Sequence, residues 1–350
     1  MKVYVCPWDS QYLNDVLFTD QYDKPPRGGK WPWQAVKEEF VKRGIEISTI
    51  DKFDRESRNC AFVGVGKVFT RFPELEYYAS LAKELNFHKR ILLSTEPPCI
   101  SPNMYFNIDR FLAIYTHVYY ACKLDGTLFS NQRLKSVMHN KEVSRIRYFN
   151  SPVKMDSPLM PEFYSDLRSG IVMINTNKAP IFPYRQLYGA RIAAINYFGK
   201  FRDFALYGRG WLRPTLYPRP LNYRSVRACY EGALPLEGKY DVLSKHNFAL
   251  CFENCAIPGY ITEKIFDCFC CGTIPIYLGA PDVSDFIPSN CFVDFRRFEG
   301  FAELRDYLSS LTKEDIQKFR DNIVAYFKSA KFAPFKGVSF ACELANLVEN

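Results

Sequence analysis

With 350 residues, 47% of them hydrophobic and 24% charged, the chain has the composition of an ordinary folded protein, which excludes disorder or coiled coil as its dominant state. At about 150 residues per domain it reads as two domains, and its apolar runs fall far short of the ~18 residues that cross a bilayer. A net charge of +8 with no Lys/Arg stripe points to an anionic ligand rather than to nucleic acid. The opening MKVYVCPWDS reaches Asp9 before the apolar core of a secretory signal could form.

Along the chain, 2–7 is a short β-type run, 33–43 an amphipathic helix ending before Gly44, and 45–50 a strand. Residues 60–65 form an apolar run and 73–86 a helix. Residues 90–95 form a strand that runs into Glu96, Pro97 and Pro98. Short apolar runs alternating with helices of ten or more residues predict parallel sheets covered by helices. From 124 to 163 the pattern turns polar and contains Pro152, Pro158 and Pro161. A boundary there gives domains 1–160 and 161–350. The second half then shows strands at 170–175, 204–207, 248–252 and 273–278. Helices are expected at 185–198, 262–270, 301–310, 313–329 and 339–348, with a proline-rich loop at 214–220. The expected architecture is α/β, two Rossmann-like domains facing a central cleft, with the ligand between the carboxyl ends of the sheets.

Twelve cysteines invite a metal reading, and Cys251, Cys255, Cys268, Cys270 and Cys271 cluster. The one C-x-x-C pair, Cys268 and Cys271, falls in an apolar helical stretch without a second knuckle, so buried thiols in a reducing compartment are expected instead of zinc.

The densest chemistry is FALCFENCAIPGYITEK, residues 248–264. A strand ends in Glu253 and Asn254, a Pro-Gly loop follows, and a helix starts at Thr262, a good N-cap. The helix N-terminus and Lys264 suit a diphosphate. Glu263 can accept from a pair of sugar hydroxyls, and Tyr260 offers a ring and a hydroxyl. For a bare Glu-Lys pair the competing reading is an ordinary first helical turn. The full combination is far more specific.

These residues, with GTIPIYLG at 272–279, resemble the signature of the α-1,3-fucosyltransferases, glycosyltransferase family 10. That pattern is F-E-N, then Y-[IV]-T-E-K, then G-x-x-P-[IV]-x-x-G. The resemblance implies a two-Rossmann (GT-B) fold, with acceptor bound by the first domain and donor by the second. It also implies inverting transfer of L-fucose from GDP-fucose to a sugar hydroxyl, usually the 3-OH of GlcNAc. By the same resemblance Arg191, in RIAAINYF, grips the donor diphosphate. Ala194 stands there in place of the family's aromatic, and Arg185 remains the alternative. Asn254, Tyr260, Glu263, Lys264 and Glu253 are expected to bind donor. Glu96, in ILLSTEPP, matches the family's strand-end glutamate and is the expected general base; without the resemblance it would read as a plain loop acid. The chain has no D-x-D motif, so a reaction without an essential divalent metal is expected.

The acceptor is expected to be an oligosaccharide or glycoconjugate. Trp31 and Trp33, in PPRGGKWPW, either stack on its sugars or anchor their loop on the core. His117 in the aromatic run 115–120 carries no catalytic expectation. Family members from animals and plants bear an anchor and stem. The immediate first strand and the lack of a basic amphipathic tail lead to the expectation of a cytoplasmic enzyme of bacterial or viral type. Two other readings stand beside this one: an inverting GT-B transferase using another nucleotide sugar, and a non-catalytic sugar-binding protein of the same fold.

Overall fold

The computed structural model describes residues 1–21, 29–66, 73–124, 144–155, 157–158, 170–213, 222–235 and 238–350. The expected loop at 214–220 and residues 25–28 of the PPRGGKWPW segment lie outside the described residues.

The first sheet has the order β2-β1-β3-β4-β5-β6 and every pairing is parallel. Its strands are β1 (Lys2–Cys6), β2 (Glu46–Thr49), β3 (Cys60–Gly66), β4 (Lys89–Ser94), β5 (His117–Tyr120) and β6 (Ile146–Tyr148). The second sheet, also parallel throughout, runs β12-β11-β10-β7-β8-β9. It comprises β7 (Ile171–Ile174), β8 (Phe204–Tyr207), β9 (Tyr230–Gly232), β10 (Phe248–Phe252), β11 (Ile274–Leu278) and β12 (Val293–Asp294). Central strands are buried on both faces, which is why CAFVGVG and FALCF read as unbroken apolar runs.

In each sheet the strand order reverses at one point: between β1 and β3 in the first, between β7 and β10 in the second. Crevices open at such switch points, beyond the carboxyl ends of the strands. Trp8, two residues past β1, and Asn254, two residues past β10, mark them.

Three expectations needed revision. β6 lies inside the stretch read as a polar linker. It is a three-residue edge strand with only Ile146 buried, so it carries almost no apolar signal. The helix expected from Arg185 begins at Tyr188, because Arg185 takes a left-handed φ of 46°. The Gln186 side chain accepts from the Tyr188 and Gly189 amides at 2.7 and 3.2 Å and so starts the helix. Finally, the stretch 161–350 does not stay together. Its last helix, Gly337–Glu349, packs on helix Pro32–Lys42 and buries Phe340, Ala341, Leu344, Ala345 and Val348 in the first half's core. Arg43 pairs with Glu349 at 2.7 Å.

The halves also meet near the site. Cys255, Ile257, Tyr260 and Tyr188 join an apolar cluster of the first half. Lys123 donates its amide to Pro258 O at 2.8 Å and its ammonium to Asp282 at 2.7 Å. Tyr148 donates to Gly259 O at 3.0 Å. Gly259 has φ +73°, and a Cβ there would stand 2.8 Å from the Tyr148 ring, so the turn requires glycine. Among the described residues no helix is long and apolar enough to cross a membrane.

Candidate active site

The site starts where β10 ends. Glu253 is fully buried. One carboxylate oxygen accepts from the Thr262 amide at 2.8 Å, and the Thr262 hydroxyl lies 2.9 Å from both oxygens. Lys264 Nζ donates to the same carboxylate at 3.0 Å. Glu253 therefore stands behind the site and fixes the helix start Thr262–Lys264. The neighbouring strand end leaves room for it: a Cβ on Gly279 would come within 2.7 Å of Glu253 Cγ and 2.3 Å of the Tyr277 hydroxyl.

Burial pulls the Lys264 ammonium down, but Glu253 and Glu263 outweigh it and hold its pKa above the ordinary lysine range. Glu263 shows the mirror case. Burial would raise it, yet Lys264, Lys239 and the helix-start backbone bring its carboxyl down to about 2. Half of its side-chain surface, 52%, stays open to solvent, so it is an ionised acceptor presented to the cleft.

Arg191 is 3% exposed. Its Nη2 donates to Phe252 O at 2.6 Å and to Asn254 Oδ1 at 3.0 Å. Its Nε is buried with no hydrogen-bond partner among the described residues. The guanidinium packs over the Tyr188 ring, with Cζ 4.8 Å from the ring centre. Asn254 Nδ2 continues the chain of bonds to the Tyr260 hydroxyl at 3.3 Å. Burial, reinforced by the charges of Glu96 and Glu253, keeps the Tyr260 phenol well above its ordinary pKa and therefore neutral. Arg185 is exposed, with its guanidinium 5.4 Å from the Tyr184 ring centre. Of the two arginines, Arg191 is the one attached to the strand end.

A cavity of about 470 Å³ lies between the halves, within the usual range for a small-molecule site. Glu96, from the end of β4, lines it together with Asn254, Tyr260, Glu263 and Lys264. Sequence positions more than 150 apart thus share one space. Glu253 and Arg191 are not on its wall.

Trp31 and Trp33 also line the cavity, but they are only 9% and 5% exposed. Trp31 donates its indole N–H to Leu17 O at 2.8 Å. Trp33 packs edge-on to Phe340 at 5.8 Å. Both anchor the core while turning an edge to the cleft.

Sequence reasoning missed Trp8, Lys154, Lys239, Tyr240 and Asp267, all on the cavity wall. Asp267 had a legible signal, since it lies four residues after Glu263 and so on the same helix face. It takes an ion pair from Lys239 and a hydrogen bond from Tyr240 at 2.8 Å. Trp8 could have been found from its place just beyond the first strand. Eleven of the twelve cysteines are buried. Among the described residues no group of three or more His, Cys, Asp or Glu side chains is set to hold a metal ion.

Comparison with known proteins bears on this geometry. Residues 225–334 match the model described as glycosyltransferase family 10 (fucosyltransferase), C-terminal. That span contains Glu253–Lys264 and Gly279 but neither Arg191 nor Glu96. An alpha-(1,3)-fucosyltransferase of Helicobacter pylori is 46% identical over 77 residues, 22% of this chain and 16% of that protein. An alpha-(1,4)-fucosyltransferase of Arabidopsis thaliana is 36% identical over 74 residues, 21% and 18%. The GDP-fucose protein O-fucosyltransferase 3 of Xenopus laevis is 38% identical over 77 residues, 22% and 16%. The matches thus span under a fifth of these relatives' lengths. Among solved structures, an alpha1,3-fucosyltransferase with GDP covers 100% of this chain and 90% of its own, with a TM-score of 0.54 and 17% identity. An alpha-glucosyltransferase in complex with UDP covers 100% of both chains, with a TM-score of 0.57 and 10% identity. The chain therefore has the two-domain fold of the GT-B glycosyltransferases and, over residues 225–334, resembles the fucosyltransferases of glycosyltransferase family 10.

Proposed function

We propose that this chain is an inverting fucosyltransferase that moves L-fucose from GDP-fucose to a hydroxyl of an acceptor glycan, such as the 3-OH of GlcNAc. The observation that carries the reading is the shared cavity, in which Glu96 of one half faces Asn254, Tyr260, Glu263 and Lys264 of the other.

In a single displacement the acceptor oxygen attacks C1 of fucose and the bond from C1 to the diphosphate oxygen breaks. The acceptor proton passes to the Glu96 carboxylate, and GDP leaves with the bonding pair. The transition state is oxocarbenium-like, so an ionised carboxylate near the ring favours it. Lys264 and the helix N-terminus supply positive charge to the leaving diphosphate. Arg191, bonded to Phe252 O and Asn254 just behind the wall, adds further positive charge at the strand end. Glu263 takes hydroxyls of the donor's sugars, and Tyr260 and Asn254 hold the strand-end turn against them. With this much cationic charge at hand, no divalent metal is assigned a part.

Calorimetric titration with GDP-fucose, GDP, GDP-mannose and UDP-galactose tests the donor. Tighter binding of GDP-fucose than of the other nucleotide sugars is expected. Equal binding of all guanine ligands would leave the sugar to another transferase class, and no nucleotide binding would leave a sugar-binding protein. For the base, Glu96→Gln is expected to lower turnover by about 10²–10⁴ with little change in donor affinity. Unchanged turnover would remove Glu96 from the mechanism. Activity is expected to survive EDTA.

A further inference from the structure

The two halves contribute unlike surfaces to the cavity. Lys239, Glu263, Lys264 and Asp267 from the second half are charged. The first half contributes mainly apolar and aromatic groups, Trp8, Trp31, Trp33, Phe149, Val65 and Leu93, beside one carboxylate, Glu96, and one ammonium, Lys154, of opposite charge. Such a wall suits a ligand with an apolar face and no net charge. A pyranose has one, because where its hydroxyls lie equatorial the axial C–H groups leave an apolar ring face that packs against an aromatic ring.

The three tryptophans are not equivalent. Trp31 and Trp33 are buried and committed to core contacts. Trp8 is half-buried and packs at the margin of that core. It stands in the loop that leaves β1 at the first sheet's switch point, where a crevice opens for a ligand. Its ring is braced by Tyr12, with centroids 4.6 Å apart, and by the edge of Trp31 at 6.4 Å. A large ring, held rigid on two sides and open to the cavity that also holds Glu96, is preorganised to stack.

We infer that Trp8 is the acceptor platform: its indole takes the apolar face of the pyranose whose hydroxyl Glu96 deprotonates, while Trp31 and Trp33 brace the wall. The inference rests on the fucosyltransferase reading and extends it to a neutral saccharide acceptor.

The test compares wild type, Trp8→Ala and Trp8→Phe in transfer from GDP-fucose to N-acetyllactosamine and to free GlcNAc, with donor affinity read separately by calorimetry. In Trp8→Ala the acceptor KM is expected to rise about tenfold. Turnover at saturating acceptor and the GDP-fucose Kd are expected to stay within about threefold of wild type. Trp8→Phe keeps a flat ring and is expected to recover most of the KM. A merely structural role would shift Kd, kcat and KM together, and that result overturns the assignment. So does an unchanged KM in Trp8→Ala when wild type transfers. Absence of transfer by wild type itself removes the fucosyltransferase reading and this assignment with it.

Discussion

Glu253 is the residue whose expected role differs most from its position, and Glu253→Gln separates the two. The carboxylate is fully buried and accepts from the Thr262 amide, the Thr262 hydroxyl and the Lys264 ammonium, all within 3.0 Å. Glutamine fits the same space but brings two donors and one acceptor. If its oxygen stays on the Thr262 amide, its NH₂ meets the Lys264 ammonium. If it flips, its NH₂ meets the Thr262 amide at 2.8 Å. Either way one charge-assisted hydrogen bond is replaced by a donor facing a donor. Losing such a bond costs about 1.5–3 kcal/mol. Lys264, whose side chain is 21% exposed, also loses its buried counter-charge, although Glu263 at 3.8 Å offsets part of that. The expected destabilisation is about 2–4 kcal/mol, below the ~3–5 kcal/mol of a buried pair broken outright. In urea this lowers the unfolding midpoint by about 1 M, read by circular dichroism. Because Lys264 is no longer held, GDP-fucose binding is expected to weaken about tenfold in the same protein. An unshifted midpoint would refute the view that this carboxylate holds the corner. An unshifted midpoint together with lost donor binding would place Glu253 on the donor itself.

Two further outcomes are expected. Arg191→Ala should raise the GDP-fucose Kd at least tenfold and lower turnover, whereas Arg185→Ala stays within about threefold of wild type. Arg191→Lys should not restore binding, because a compact ammonium does not reproduce the planar guanidinium that holds Phe252 O and Asn254 and packs over Tyr188; the reverse pattern in calorimetry and turnover would make Arg185 the phosphate arginine. The Glu263 carboxyl sits at about 2 against an ordinary 4.5, so its folded value is depressed. Its ionised contribution is therefore complete above about pH 4.5 and is lost only as pH falls toward 2. The ratio of GDP-fucose Kd between Glu263→Gln and wild type should be the same at pH 5 and pH 8, and a ratio that collapses by pH 5 would overturn this placement.

The sequence by itself determined the alternation of strands and helices and the local build of the corner at 248–264. That corner is local: strand end, Pro-Gly turn, Thr262 cap and first helical turn lie within seventeen residues, so propensity and spacing fix their arrangement. The fully buried strands were legible for the same reason, as unbroken apolar runs. The order of the strands, and so the two switch points, was not legible, because pairing partners are chosen by packing across long separations. β6 and the return of the last helix to the first half were hidden likewise. A three-residue edge strand has almost no period, and an amphipathic helix does not name the core it will join. Only the tertiary structure put Glu253 behind the cavity rather than on it. It alone buried Arg191 against the strand end and left Arg185 exposed, and it alone set Glu96 and Trp8 in the same space as Lys264. Strand-end loops acquire common chemistry only when two sheets turn their carboxyl ends toward one cleft, and that facing is a property of packing, not of any local run of residues.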